Sequence, residues 1–363
     1  MIKHLEIVGL WGRENFTFAF HPDLNILTGR NGSGKTTILK LLWYLVSGHA
    51  RQALAEVEFD RASTAAEAKG TYHIELTKNS SSKLDMNGNG LVVPGDSLFS
   101  IQYTYATDAH RGQQLSQMEA QPLRKLYSLV GEEIAPMSFT TLFLPTFRRF
   151  EGGFSIGGSS EGNKITEGLR EFSYRLTHAG HRFVAYADYE DVKRLINEIS
   201  SDIRVRLQPV EEEFMSFVKT PNPPPNFAEQ LTERIAKKEK REAEIKAPLT
   251  KLAEYIDFFF LEKSVEVTEE LVLGSHVNRA KLAHLSAGEK NLLSFLVYAM
   301  EQPAAMFIDE PELNLHVDWQ RHLLSVLRAI APNTQFFVAT YASAIRAAYP
   351  EKQFFLDNQL VEA

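Results

Sequence analysis

The stretch LNILTGRNGSGKTTILKLL, residues 24–42, decides the fold. A short apolar run, Leu24 to Leu27, passes through a glycine-rich turn, Thr28 to Ser33. From Thr36 onward Ile38, Leu39, Leu41, Leu42, Leu45 and Val46 recur at helical spacing, and Gly48 suits the helix end. Within it, Gly29 to Thr36 fits G-x-x-x-x-G-K-[ST] with a strand before and a helix after, the context that phosphate binding requires. The glycines let the backbone curl so that successive N–H groups and the helix N-terminus face phosphates. Arg30, Asn31, Gly32, Ser33, Gly34, Lys35, Thr36 and Thr37 are therefore expected to line a nucleotide site. Lys35 would reach the β and γ phosphates, and the Thr36 hydroxyl would take one Mg²⁺ position.

Two further elements belong with this loop. Ala305 to Pro311 places Asp309 and Glu310 at the end of a hydrophobic strand. Adjacent carboxylates there repel and raise each other's pKa unless a cation is present, and Mg²⁺ is the natural candidate. Asp309 would hold the metal, Glu310 would polarise the attacking water, and Pro311 would end the strand. Leu285-Ser286-Ala287-Gly288-Glu289-Lys290 opens a helix, with Ser286 as its cap and the N–H groups of Ala287 and Gly288 as an anion site. Alone it reads only as an N-cap; between a phosphate loop and an Asp-Glu strand it reads as part of the same machinery.

Around these elements the chain alternates. Ile2–Val8, Phe16–Phe20, Tyr72–Leu76 and Leu98–Tyr105 read as strands, with turns at 79–82 and 87–90. Thr141–Leu144 is a further apolar run stopped by Pro145, and the glycine-serine cluster 152–162 reads as linker, because no Lys-Thr pair follows it. Helix formers dominate from Ile165 to Val218, Pro221–Pro225 breaks them, and Phe227–Phe260 resumes as the second arm of an α-hairpin. Its charged stretch, Leu231 to Lys246, reads as a solvated face laced with i,i+4 pairs or as a DNA- or partner-binding arm. Strand-like Val265–Leu273, helical Gly288–Met300, strand Ala304–Ile308, amphipathic helix His316–Ile330 and strand Gln335–Thr340 then imply a parallel sheet covered on both faces. The expected fold is α/β with an antiparallel β section. An ATPase lobe at 1–145, a helical insertion at 146–264 and a second ATPase lobe at 265–363 make up the expected segments.

The chain has 363 residues, 44% of them hydrophobic and 23% charged, which excludes disordered and coiled-coil-only classes. The absence of cysteine removes disulfides, Cys-ligated zinc and thiol catalysis. A formal charge of −7 argues against a surface that binds nucleic acid throughout, leaving any DNA contact local. No signal-peptide pattern opens the chain and no apolar run approaches the roughly 18 residues of a membrane span, so a cytoplasmic location without membrane contact is expected.

The three motifs together resemble the ABC-type P-loop ATPase heads of the SMC, RecF and OLD (overcoming lysogenization defect) group, over residues 1–50 and 265–345. FIDEPELNLHVDWQRHLLSVL, from Phe307, is especially similar to the stand-alone OLD-like AAA ATPases of bacterial anti-phage defence. The resemblance implies ATP and Mg²⁺ as cofactors. It also implies an ATP-dependent homodimer in which Ser286 and Gly288 close in trans on the γ-phosphate held by the other chain. His316 falls at the D-loop aspartate position, where it would shape the dimer contact. Ala339 to Ser343 departs from the family's Thr-Thr-His-Ser and places Tyr341 at the switch histidine, so turnover is expected to be slow. Gln102 is a candidate for the glutamine loop. Arg148 or Arg149 in the Phe143–Arg149 segment would sense phosphate or a partner, or be an ordinary structural pair. Three functions follow from the resemblance: an ATPase that controls a separate effector such as a nuclease or toxin, an ATP-bound scaffold with little turnover, and a RecF-like repair ATPase on DNA. With no segment left over for a nuclease, a long arm or a membrane domain, the output is expected on another chain.

Overall fold

Strands β1 (Ile2–Leu10) and β2 (Glu14–Ala19) form where apolar and polar residues alternate, with Leu5, Ile7, Phe16 and Phe18 buried. β3 (Leu24–Thr28) leads through the glycine loop into α1 (Lys35–Val46), followed by α2 (Ala50–Glu56), β4 (Arg61–Glu67), β5 (Thr71–Lys78) and β6 (Phe99–Ala106). β1, β2, β4, β5 and β6 make one antiparallel sheet in the order β2-β1-β4-β5-β6. β4 has no large apolar residue to announce it. It is a strand because β1 and β5 pair with it on both sides, and its small Ala62 and Ala66 join the same buried cluster as α1. This computed structural model describes residues 1–67, 71–78, 99–106, 140–146, 149–150, 181–184, 186–187, 189–221, 225–260, 265–267, 271–275, 278–279 and 285–357.

The chain divides into two units, Met1–Arg148 with Ile156–Tyr186 and Gln302–Ala363, and Arg149–Ser155 with Ala187–Glu301. β7 (Thr141–Leu144) appears as read, and after it come the short strands β8 (Arg149–Phe150), β9 (His181–Phe183) and β10 (Tyr186–Ala187). β9 corrects the helical reading of residues 165–218. His181–Phe183 pairs in parallel with Thr141–Phe143, and this pairing with a distant strand outweighs local helix preference. In the second unit, α3 (Tyr189–Val218) and α4 (Phe227–Phe259) form the expected hairpin, each tolerating an internal proline, Pro209 and Pro248. Ile203, Leu207 and Leu249 seal it, while farther along Arg234 lies 4.1 Å over the Phe217 ring and Arg241 pairs with Glu213 at 2.9 Å. The single strand read at 265–273 is instead an antiparallel pair, β11 (Val265–Val267) and β12 (Leu271–Ser275), with β13 (Asn278–Arg279) beyond it. α5 (Ala287–Met300) completes the unit, which groups it with α3 and α4 rather than with the strand that follows.

Back in the first unit, β14 (Ala305–Asp309), α6 (Val317–Ile330), β15 (Gln335–Ala339), α7 (Ser343–Arg346) and β16 (Gln353–Phe355) complete a second sheet, ordered β16-β3-β15-β14-β7-β9 and parallel throughout. Every residue of β3, β7, β14 and β15 is buried, as a sheet covered on both faces demands. α1 joins residues of both sheets in one core: Ile38, Leu39, Leu41, Leu42, Trp43, Tyr44, Leu45 and Val46 are all buried with Leu5, Phe18, Phe143, Phe307 and Phe337. Trp43 donates its indole N–H to the Thr141 hydroxyl at 3.0 Å, satisfying a polar atom the core would otherwise strand. The architecture is mixed α/β with separate parallel and antiparallel sheets.

One buried amide ties the two sheets. Gln335 donates from Nε2 to the carbonyls of Ile2 and His21, both at 2.8 Å, and its Oε1 accepts from Ile2 N–H at 2.7 Å. Gln335→Ala removes these side-chain partners of the Ile2 N–H and carbonyl and one of two donors to the His21 carbonyl, which keeps Asn25 Nδ2 at 3.0 Å, and is expected to cost about 1–3 kcal/mol. Denaturant unfolding of the two proteins at the same pH measures the loss; equal midpoints would show that the tie is not structural.

Candidate nucleotide site

Because β16, β3, β15, β14 and β7 run in one direction, their carboxyl ends share one edge of the sheet, where open α/β sheets hold ligands. Asp357 follows β16 and the glycine loop follows β3. Thr340 and Tyr341 follow β15, Glu310 follows the last residue of β14, Asp309, and Pro145 and Thr146 follow β7. Cross-strand register aligns Asp309 with Ala339 and Ala339 with Leu27, so these ends lie level.

Gly32 and Gly34 adopt φ of 84° and 89°, left-handed values that curl the loop. At Gly34 the ring of Trp11 leaves no room either, since an added Cβ would lie 2.3 Å from it. Trp11 itself holds φ 55°, pinned by its N–H donating to Glu58 O at 2.9 Å. Arg30, Asn31 and Gly32 form the exposed crest, whereas Lys35 is buried and Thr36 and Thr37 are half-buried at the start of α1. The Lys35 ammonium donates to the carbonyls of Gly29 at 3.0 Å and Arg30 at 2.8 Å, two of its three donors. Asp357 accepts from Arg30 N–H at 2.9 Å and braces the loop from the neighbouring strand. Among the described residues no side chain caps α1, and the Ser33 hydroxyl is buried without a partner. An uncapped helix start behind a curled glycine loop suits a phosphate.

The metal-binding candidates meet. Thr36 Oγ1 donates to Asp309 Oδ1 at 2.9 Å, and Thr146 Oγ1 donates to Asp309 Oδ2; Asp309 is 1% exposed. Among the described residues no group of three or more His, Cys, Asp or Glu could cage a metal. That donor set fits Mg²⁺, which takes hard oxygen ligands from one or two protein groups and the rest from phosphate and water. Glu310, next in sequence, takes φ 45° and donates its N–H to Ala339 O at 2.8 Å, which ties the two strand ends.

Glu312 was not singled out by its motif, yet it is 6% exposed and central to this edge. Its Oε2 accepts from the Thr340 hydroxyl at 2.8 Å and its Oε1 from Tyr341 N–H at 3.2 Å. Burial pushes the Glu312 carboxyl above the usual range, although these hydrogen bonds act the other way. Tyr341 is 49% exposed. His316 caps α6, its Nδ1 accepting from Asp318 N–H at 3.4 Å. In the second unit, Ser286 caps α5 in a reciprocal capping box with Glu289, and Gly288 lies in the first turn. Gln102 pairs with Glu75 through the backbone of β6, Arg149 lies in β8, and Arg148 falls outside the described residues. In the Phe143–Arg149 segment Thr146 reaches Asp309; Trp11, Asp357 and Thr146 have no motif spacing of their own to reveal them. No helix among the described residues is long and apolar enough to cross a membrane.

A family model described as "AAA domain, putative AbiEii toxin, Type IV TA system" matches residues 148–340. The Septu protein PtuA of Bacillus thuringiensis is 38% identical over 64 residues, which are 17% of this chain and 16% of that protein. Two solved structures align over most of both chains at low similarity. One is an SMC head bound to the C-winged helix domain of ScpA, with TM-score 0.45, 12% identity, and 95% of this chain and 91% of that one covered. The SMC head domain from Thermotoga maritima gives 0.43, 13%, 96% and 91%.

The loop geometry makes a specific demand on Gly34. Gly34→Ala has to displace Trp11 and strain φ, so nucleotide affinity is expected to fall at least tenfold, about 1.4 kcal/mol. Titration with a fluorescent ATP analogue measures it; unchanged affinity would show that the loop does not form the site.

Proposed function

We propose a function from the premise that this chain belongs to that AAA-domain family, whose model covers more than half of it: a Mg²⁺-dependent ATPase that dimerises on ATP and regulates or scaffolds a separate effector protein. The observation that supports it is the meeting of Thr36, Asp309 and Thr146 beside the Lys35 loop at one sheet edge. The loop N–H groups and the start of α1 would bind the phosphates, and Lys35 would exchange its loop carbonyls for β and γ oxygens. Thr36 and Asp309 would hold Mg²⁺, which when bound neutralises charge on the phosphates. Thr146 fixes the second Asp309 oxygen. Glu310, on the turn after β14, would orient and deprotonate the attacking water. Ser286 and Gly288, at a helix start, would close on the γ-phosphate of a second copy. The effector role in anti-phage defence rests on the resemblance to OLD-like ATPases and on the short likeness to the Septu protein.

A second reading, an ATP-bound scaffold with little turnover, is favoured by Tyr341. A phenol donates one hydrogen bond but lacks the positive charge a protonated histidine brings to a phosphate.

Glu310→Gln keeps the shape of the site and removes the base, so ATP is expected to bind, turnover to fall at least about 100-fold, and a dimer to accumulate. Light scattering with and without ATP checks this, with Lys35→Ala as the variant that should bind no ATP. A Glu310→Gln chain that stays monomeric at saturating ATP would remove the dimer from the proposal. Tyr341→His is expected to raise the steady-state rate several-fold, on the order of 1 kcal/mol of barrier. An unchanged or lower rate would mean that Tyr341 does not stand at the switch position. The proteins that co-purify with the native chain identify the effector.

A further inference from the structure

We infer that Glu312 is a positioning residue of the hydrolysis site, a buried carboxylate that holds the Thr340–Tyr341 segment against the turn carrying Glu310. The inference rests on the ATPase reading above and adds a residue to it.

Three sets of contacts lead to it. The carboxylate uses both oxygens on one target, the end of β15: Oε2 accepts from the Thr340 hydroxyl and Oε1 from Tyr341 N–H. The Thr340 hydroxyl in turn accepts from Ala342 N–H at 3.0 Å, so three successive residues hang from one side chain. The Glu312 carbonyl accepts from Leu315 N–H at 3.0 Å and from Gln320 Nε2 at 3.4 Å, which anchors the turn to α6. The turn itself is bent at both ends, with Glu310 at φ 45° and Asn314 at φ 62°. Side chains that must be placed to within a fraction of an ångström are held here by backbone, and the backbone is held by Glu312. A buried carboxylate is a poor way to gain stability, because desolvation offsets most of what its hydrogen bonds contribute. Its two-oxygen grip on Thr340 and Tyr341 is a good way to fix geometry. Glu312 touches no phosphate in this account; it acts through Tyr341 and Glu310.

The test is steady-state ATP hydrolysis by the full-length chain, with thermal melts alongside. Glu312→Ala and Thr340→Val are each expected to lower kcat about 10- to 100-fold while KM for ATP moves less than about threefold. The double variant is expected to be no slower than the worse single one, because both remove the same link. Glu312→Gln, whose amide oxygen still accepts from Tyr341 N–H, should recover most of the loss. A kcat for Glu312→Ala within about threefold of wild type, or losses that multiply in the double variant, would overturn the inference. Should Glu312→Ala fail to fold, the near-isosteric Thr340→Val decides, and a wild-type rate there overturns it equally. A wild-type chain that binds ATP without turning it over sinks the ATPase reading and this inference together. Wild-type turnover with unaffected variants sinks this inference alone.

Discussion

Helix α1 is apolar on nearly every side, and a helix without a polar face has to be buried all round. The first unit meets that demand with two sheets whose residues enter one core with the helix: an antiparallel one through Leu5, Phe18 and Ala62, a parallel one through Phe143, Phe307 and Phe337. Placing α1 there fixes where it starts, at the carboxyl end of β3 between the ends of β15 and β16. The glycine loop is the short path from that strand to that helix, so its position follows from the packing.

Charge is then managed at the level strand ends. Asp309 is buried and accepts from Thr36 in the first turn of α1 and from Thr146 beyond β7, and Glu312 is buried and accepts from the exit of β15. Asp357 closes the row by accepting from the loop backbone itself. Each carboxylate lies where its oxygens meet hydroxyl or N–H donors, which is what lets acidic groups sit at the edge of an apolar core. In the second unit α3, α4 and α5 bury apolar residues of their own, among them Leu195, Ile196, Leu252, Ile256, Phe295 and Leu296, and ion pairs and cation–π contacts follow farther along α3 and α4.

Much of this was legible before folding. The glycine loop with Lys35 and Thr36, the Asp309–Glu310 strand end and the Ser286 cap each depend on local spacing, and local spacing is what a sequence displays. Elements held by partners far away in the chain were less visible. β4 has alanines where a strand usually shows bulky residues, and β9 sits in a stretch that favours helix; pairing with β1, β5 and β7 makes them strands. Thr146 lies 163 residues from the carboxylate it binds, and Asp357 lies 327 from Arg30. No periodicity connects such pairs.

The sequence by itself determined a P-loop at the end of a parallel-sheet strand, because the motif and the strand and helix that flank it are contiguous. Which threonine supports Asp309, how Trp11 closes over Gly34, and which carboxylate grips the segment with Tyr341 were decided only by tertiary structure. These contacts join residues beyond separate strands, and it is the order of strands in the two sheets and their shared packing with α1, not their order in the chain, that makes them neighbours.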